Sequence, residues 1–487
     1  MPPIAATLVA IALIGQPGTG PAPGATAPKE GVTPQQILAA LETGVTDAVA
    51  RAEASVVSIT RVRNPAGTET LAVRGLRPPP MARPEGFVEE PEVGALDYVP
   101  LPGDFGSGVV IGEAGQILTT FHLVQGSIRL YVRAPGLPGF DAEILAADPR
   151  SDLAVIVPRL PQGAASPALP AMGLGRAEAL RKGSFLIALG NPYHASRDGK
   201  ASASFGILSN TTRRIVAPAD DPRPETRQMF RHQPTLLQLD AKLNLGMSGG
   251  AVVDLSGQLA GVTTNGGNAE GYDAQAGYAI PMDAMGRRIV ETLRSGREVE
   301  YGFLGIKLDA LQPNVVGGVL PGTPAMEGGL IQGDVITAVN DVGVDPESGL
   351  SLALSRAEVG KPARLTILRG NQTLEKSVFV SKYPIAGEVI ATNRVGQWRG
   401  LRVDYASVLG GTTQSDAVLE AMTKGSVAVV EVAAGSPAAA AGLRRGAIVT
   451  KAGGQGVRTP LEFEEAVKGK DGPVVLETTE ESVTVRP

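Results

Sequence analysis

A stretch of 19 residues occurs twice in this chain, and the repetition limits the architecture more than any other feature. Residues 322–340, GTPAMEGGLIQGDVITAVN, and 435–453, GSPAAAAGLRRGAIVTKAG, align with a shift of 113 positions, pairing Pro324 with Pro437, Leu330 with Leu443 and Gly333 with Gly446. Self-similarity of this size means two copies of one folding unit. Each copy reads as a short helix opened by Thr or Ser before Pro, a glycine turn, and then a strand. At 487 residues the chain is too long for one core, so the copies follow a separate upstream unit.

That unit is organised around NLGMSGGAVV, residues 244–253. Glycines at 246, 249 and 250 permit a tight turn. Such a turn can aim the amides of Gly246 and Ser248 at one point, where an oxyanion would form beside the Ser248 hydroxyl. Ordinary hairpins use the same residue types, so the partners decide. A serine hydroxyl needs a base to take its proton, and the base needs a carboxylate to fix its tautomer. The three histidines are His122, His194 and His232. His122 lies in QILTTFHLVQG, read as a β-rich run that leaves the ring at a strand end, and Asp152 heads the strand of SDLAVIV. The order His122, Asp152, Ser248 is that of chymotrypsin and differs from that of α/β-hydrolases. Asp148 is the competing carboxylate, but it precedes Pro149 and reads as a turn residue. His194, after Asn191-Pro192-Tyr193, and His232, in RQMFRHQ, read as surface histidines.

TTFHLV, SDLAVIV and NLGMSGGAVVD resemble, in order, the three catalytic segments of the HtrA (Deg) family of trypsin-like serine proteases. The resemblance implies a mainly β protein: a chymotrypsin-like double β-barrel with His122 as general base, Asp152 as its orienting carboxylate, Ser248 as nucleophile and the Gly246 and Ser248 amides as oxyanion hole. Family loops commonly carry Asn before the serine and often Pro three residues before it, where this chain has Met247 and Leu245. A thioether cannot replace an amide's hydrogen bonds, so the site is either tuned or, as the alternative, belongs to a catalytically weak or inactive PDZ scaffold or holdase. Lys242 falls at the floor of the specificity pocket in trypsin-like folds; pointing inward it would favour acidic side chains, and snorkelling outward, small apolar ones.

The repeat resembles PDZ domains. FLGI (Phe303, Leu304, Gly305, Ile306) and RGLRV (with Gly400, Leu401, Arg402, Val403) would be the carboxylate-binding loops, and 348–360 and 460–469 the helices beside each groove. The second copy departs at Ala447, where the first has Asp334. Together the resemblances imply an endopeptidase acting on unfolded or damaged proteins, with PDZ domains gripping exposed C-termini. They also imply a homo-oligomer, a trimer by family default.

The expected organisation is a leader and Pro/Gly-rich linker over 1–31, a protease domain over 32–296, PDZ domains over 301–382 and 397–487, and an inter-module linker over 383–396. The apolar run 4–15 is too short for a comfortable membrane span and lacks a basic flank, so it reads as a signal peptide or short anchor, or else a disordered leader. The first two readings place the protein outside the cytoplasm. Segments 64–104 and 211–232 read as insertions, the second an exposed loop beside the active site. A net charge of −5 without a dense basic block argues against a nucleic-acid partner. The lack of cysteine excludes disulfides and thiolate metal sites. Neither H-E-x-x-H nor G-x-x-x-x-G-K-[ST] occurs, so no metal or cofactor is expected.

Overall fold

A computed structural model describes residues 33–63, 104–161, 163, 166–191, 199–213, 236–264, 277–309, 311–312, 314–344, 350, 353–354, 356–384, 389–394, 396–409 and 425–487. The leader, His194, His232, almost all of the 64–104 insertion and most of 211–232 lie outside these residues. The described chain divides into a short unit ending at Val45 and a unit covering Thr46–Pro487. The helix Pro34–Glu53 starts with a reciprocal cap: Gln36 N donates to Thr33 Oγ1 (3.3 Å) and Thr33 N to Gln36 Oε1 (2.8 Å).

Two antiparallel barrels follow. The first comprises β1 (Val56–Arg63), β2 (Phe105–Val110), β3 (Ile117–Thr120), β4 (Ser127–Arg133), β5 (Phe140–Asp148) and β6 (Leu153–Pro158) in the order β5-β4-β1-β2-β3-β6. Pairing of β5 with β6 closes it. Strands β2, β3 and β6 are buried along their whole length, and in β6 the continuous apolar run LAVIV without alternation marks a strand covered on both faces. The second barrel comprises β7 (Phe185–Gly190), β8 (Ser202–Arg213), β9 (Leu236–Leu239), β10 (Ala251–Val253), β11 (Leu259–Thr264) and β12 (Gly277–Pro281), closed in the order β10-β11-β12-β9-β8-β7. Its interior holds Leu186, Leu208, Leu237, Leu239 and Val252. The helix Ala284–Arg294 ends this part; Asp283 caps it by accepting from Gly286 N at 2.8 Å. Gly296, at φ +71°, takes the left-handed position beyond its end.

The repeated segments form two α+β modules. In the first, Pro324–Glu327 is a one-turn helix, and the strand Val335–Val339 lies between Val342–Gly343 and Pro362–Arg369, over a core containing Leu304, Ile336, Leu365 and Ile367. In the second, Pro437–Ala440 and Val427–Val432, Ile448–Ala452 and Val474–Thr478 repeat this plan. The expected helix 460–469 is Pro460–Val467, with Thr459 Oγ1 accepting from Glu462 N at 3.1 Å. Of 348–360, only part is described. Asp334 is fully buried and paired with Arg369 at 2.7 Å, whereas Ala447, its counterpart, packs partly buried against an apolar core.

Residues 383–396 are more than a linker: Ile390 and Ala391 pair with Ala147 and Ala146, adding an edge strand to the first barrel. Ile390 joins that barrel's core. Nearby, the Lys382 ammonium is buried but satisfied, donating to Glu298 Oε2 at 2.8 Å and Asp404 Oδ2 at 2.7 Å.

Glu300 lies 4.0 Å from the same ammonium. Desolvation, opposed by Lys382 and reinforced by Glu298 and Asp404, pushes its carboxyl up to about 7. A carboxyl raised in the folded state binds its proton more tightly there than in the unfolded chain. Its stabilising contribution is therefore complete below the ordinary carboxylate range and is lost as pH rises through about 7. Solvent damps the effect, because 39% of the side chain is exposed. In thermal unfolding, Glu300→Gln should gain stability relative to the unmodified protein on going from pH 5 to pH 8; parallel pH dependences would show that this carboxyl carries no linkage.

Candidate active site

His122 does not end a strand. It occupies the first turn of a helix, Phe121–Val124, which follows Thr120 in extended conformation (φ −88°, ψ 146°). The amides opening a helix lack partners within it, and here Asp152 supplies two. Its carbonyl accepts Phe121 N and its Oδ1 accepts His122 N, both at 2.9 Å. Asp152 achieves this in the left-handed region, at φ +56°, which Asp tolerates better than most residues. Its carboxylate also meets the ring, with Nδ1 2.8 Å from Oδ2 and 3.0 Å from Oδ1. With Nδ1 donating to the carboxylate, Nε2 of the neutral ring keeps its lone pair for a proton. The carboxylate is inaccessible to solvent while the ring is 31% exposed, so the reactive edge remains open.

Two further residues hold this pair. Thr264 Oγ1, at the end of β11 in the other barrel, donates to Asp152 Oδ2 at 3.0 Å. Arg61 Nη1 donates to the carbonyls of His122, Leu123 and Gln125 at 2.8, 3.0 and 3.2 Å, closing the C-terminal end of the short helix. Neither was identified from sequence. The signal for Arg61 was a cation within the β-branched run SVVSITRVR; Thr264 ends the run LAGVTT and carries no mark of a carboxylate 112 positions away.

Ser248 lies in a turn with Gly246 at φ +96° and Gly249 at φ +84°, conformations that favour glycine. Space demands it too. A Cβ on Gly246 would stand 2.6 Å from Asn191 O and 2.7 Å from the Phe105 ring, and one on Gly249 would overlap Ser107 O and Thr119 Oγ1. Ser107, on β2, reaches across from the first barrel: its N–H donates to Ser248 O and its hydroxyl to Gly246 O, each at 2.8 Å. The amides of Gly246 and Ser248 donate to none of the described residues. The His122 and Ser248 segments meet at Gly106, whose ideal Cβ position is 2.5 Å from Leu123 Cδ2 and 3.0 Å from Ser248 O. Ser248 Oγ is buried and has no hydrogen-bond partner, so His122 does not yet hold its proton. In ligand-free sites such bonds are often long and tighten when substrate binds.

Met247 is buried within this loop. Its sulfur accepts Asn244 N–H at 3.4 Å, so the thioether supplies a hydrogen bond to the loop. The Met247 carbonyl accepts Gly250 N at 2.9 Å and also the Thr263 hydroxyl. Leu245 is exposed, as is Lys242. Asp148 is turned away from His122 and is bound by Arg150, Ser151 and Tyr301.

In the first repeat module, Gly305 has φ +82°, and the carbonyls of Leu304 and Gly305 accept Ala325 N and Leu320 N, both at 2.8 Å. Phe303 pairs with Ser381, and Ile306 with Val319. The second module repeats the pattern at Arg399 and Gly400, whose carbonyls accept Ala438 N and Ala433 N. The matching turn there is thus Trp398–Leu401, with Leu401 N donating to Trp398 O at 2.8 Å, while Arg402 and Val403 lie within the strand Leu401–Tyr405.

Comparison with known proteins gives this geometry its context. Residues 106–262 match a trypsin-like peptidase domain, and residues 302–380 and 429–480 each match a PDZ domain. A probable periplasmic serine endoprotease DegP-like of Chlamydia trachomatis is 30% identical over 395 residues, covering 78% of this chain and 73% of the relative. The chain belongs to the HtrA (Deg) family of serine endoproteases. The periplasmic serine endoprotease DegP of Escherichia coli K12 is 27% identical over 385 residues, covering 76% of this chain and 73% of that one. Among solved structures, the HtrA-type protease AlgW with a tripeptide superposes with a TM-score of 0.50 at 25% identity, covering 70% of this chain and 98% of the other. This HtrA-family chain is a serine endoprotease of trypsin-like fold followed by PDZ domains, and peptides are its substrates.

A hydrogen bond to a charged acceptor contributes roughly 1.5–3 kcal/mol. If that is realised in the transition state, Thr264→Val should lower kcat/KM by about tenfold or more at nearly unchanged volume. Peptide hydrolysis per folded molecule measures it; full activity would remove Thr264 from the site.

Proposed function

We propose that this HtrA-family endopeptidase cleaves unfolded or damaged proteins through His122, Asp152 and Ser248. His122 takes the Ser248 proton, Asp152 holds the ring and balances the imidazolium, and the Gly246 and Ser248 amides receive the oxyanion. The observation that carries this reading is the Asp152 carboxylate: it is buried, joins His122 Nδ1 on one barrel to Thr264 on the other, and leaves Nε2 free. The protease domain spans 32–296 and the PDZ domains 301–382 and 397–487. Exposed C-termini dock at the turns Phe303–Ile306 and Trp398–Leu401 and extend a sheet edge. With relatives named as periplasmic, the chain works outside the cytoplasm, directed there by residues 4–15 as signal or anchor, and assembles as a homo-oligomer, a trimer by family default. No described helix is long and apolar enough to cross a membrane.

A fluorophosphonate probe should label Ser248, located by peptide mapping, and Ser248→Ala should lose labelling and reduce casein hydrolysis by roughly a millionfold, to background. Labelling at another residue, or turnover surviving the substitution, would refute the assignment.

A further inference from the structure

The turn Asp148–Asp152 carries more than the proposed triad carboxylate. At its start, Asp148 and Arg150 form an ion pair, Oδ1 to Nε 3.0 Å, with both side chains 2% exposed. Asp148 Oδ2 accepts Ser151 N at 3.1 Å from within the turn and the Tyr301 hydroxyl at 2.6 Å from outside it. Tyr301 is wholly buried; its ring lies 4.1 Å from the Arg150 guanidinium carbon, and Arg150 Nη2 donates to Val299 O at 2.5 Å. Burial pushes the Tyr301 phenol well above its ordinary range, so it remains a protonated donor. Val299 and Tyr301 belong to neither barrel; they lead into the strand Gly302–Phe303 of the first PDZ domain, and Tyr301 O accepts Tyr383 N at 2.8 Å from that domain's far end.

A buried ion pair is a poor means of gaining stability, because apolar side chains of equal volume serve as well or better. Here Arg150 Nη1 is even left without a hydrogen-bond partner. What the cluster does provide is direction. Asp148, Arg150 and Ser151 are the residues leading to the left-handed Asp152, whose φ of +56° sends one carboxylate to both the amide and the ring of His122. We propose that Tyr301, with Arg150 and Asp148, is a positioning residue for the protease reaction: it fastens the Asp152 turn to the root of the first PDZ domain and so sets where His122 is held. The inference rests on the triad reading above. Tyr301 lies behind Asp152 and touches no reacting atom, so its effect falls on the chemical step and spares substrate binding.

The test is Tyr301→Phe in the full-length chain, which keeps the ring against Arg150 and removes only the hydroxyl. Hydrolysis of a short chromogenic peptide is measured, with active sites counted by fluorophosphonate titration so that kcat refers to competent molecules alone. The expected result is a kcat about tenfold lower with KM within about twofold. Unchanged kcat per titrated site, or a change confined to KM, overturns the proposal and leaves the triad intact. Absence of labelling and turnover in the unmutated protein overturns both. Should Tyr301→Phe fail to fold, Arg150→Lys is read by the same division, since it keeps the charge but cannot span Asp148 and Val299 in one planar fork.

Discussion

Both residues proposed to bear oxyanion donors are gripped by their carbonyl oxygens, and the grip comes from one serine on the opposite barrel. Ser107 uses its amide on Ser248 and its hydroxyl on Gly246, each at 2.8 Å. The hydroxyl also accepts Asn191 N at 2.8 Å, and Ser107 O accepts the Thr119 hydroxyl at 2.7 Å. The amide, hydroxyl and carbonyl of Ser107 each have a partner, as low-dielectric surroundings demand. The carbonyls of Gly246 and Ser248 are thus fixed, while the amides of these two residues donate to none of the described residues. A second tie runs in the other direction, from Thr264 on β11 to Asp152 beside the first barrel. Preorganised dipoles of this kind need no reorganisation when charge develops.

The chemistry was legible in the chain because it is written in short local patterns. Glycines at 246 and 249 are needed by backbone conformation and by the atoms that crowd them. The segments around His122, Asp152 and Ser248 implied the barrels through their resemblance to the HtrA (Deg) family, and the repeat implied the PDZ pair through its resemblance to PDZ domains. The supports were not legible. Ser107, Thr264 and Arg61 are distant in sequence from the groups they hold, and a serine in a strand carries no mark of a carbonyl 139 or 141 positions away. His122 was expected at a strand end because Thr, Phe, Leu and Val favour strands; the amides offered to Asp152 draw the chain into a helical turn instead. Ile390 escaped notice because the apolar run Val389-Ile390-Ala391 is too short to read as a strand.

The modules beyond the barrels are joined to them by specific contacts. Ile390 and Ala391 extend the first barrel's sheet, Lys382 satisfies carboxylates from Glu298 and Asp404, and Tyr301 is sealed against Asp148 and Arg150. Three of these side chains are ionised groups out of water, which is costly unless paired. Tyr301, which leads into the first PDZ domain, is thus a direct neighbour of the turn that carries Asp152.

In the proposed reaction Ser248 Oγ attacks the substrate carbonyl carbon, and the oxyanion forms in a pre-formed hole while Ser107 keeps its hold. The most direct measurement is a crystal structure of the protein inactivated by a peptide phosphonate. The account predicts phosphorus bonded to Ser248 Oγ, the phosphoryl oxygen within hydrogen-bonding distance of the Gly246 and Ser248 amides, and both Ser107 bonds unchanged. A phosphoryl oxygen turned away from both amides, or a nucleophile loop released from Ser107, would contradict it.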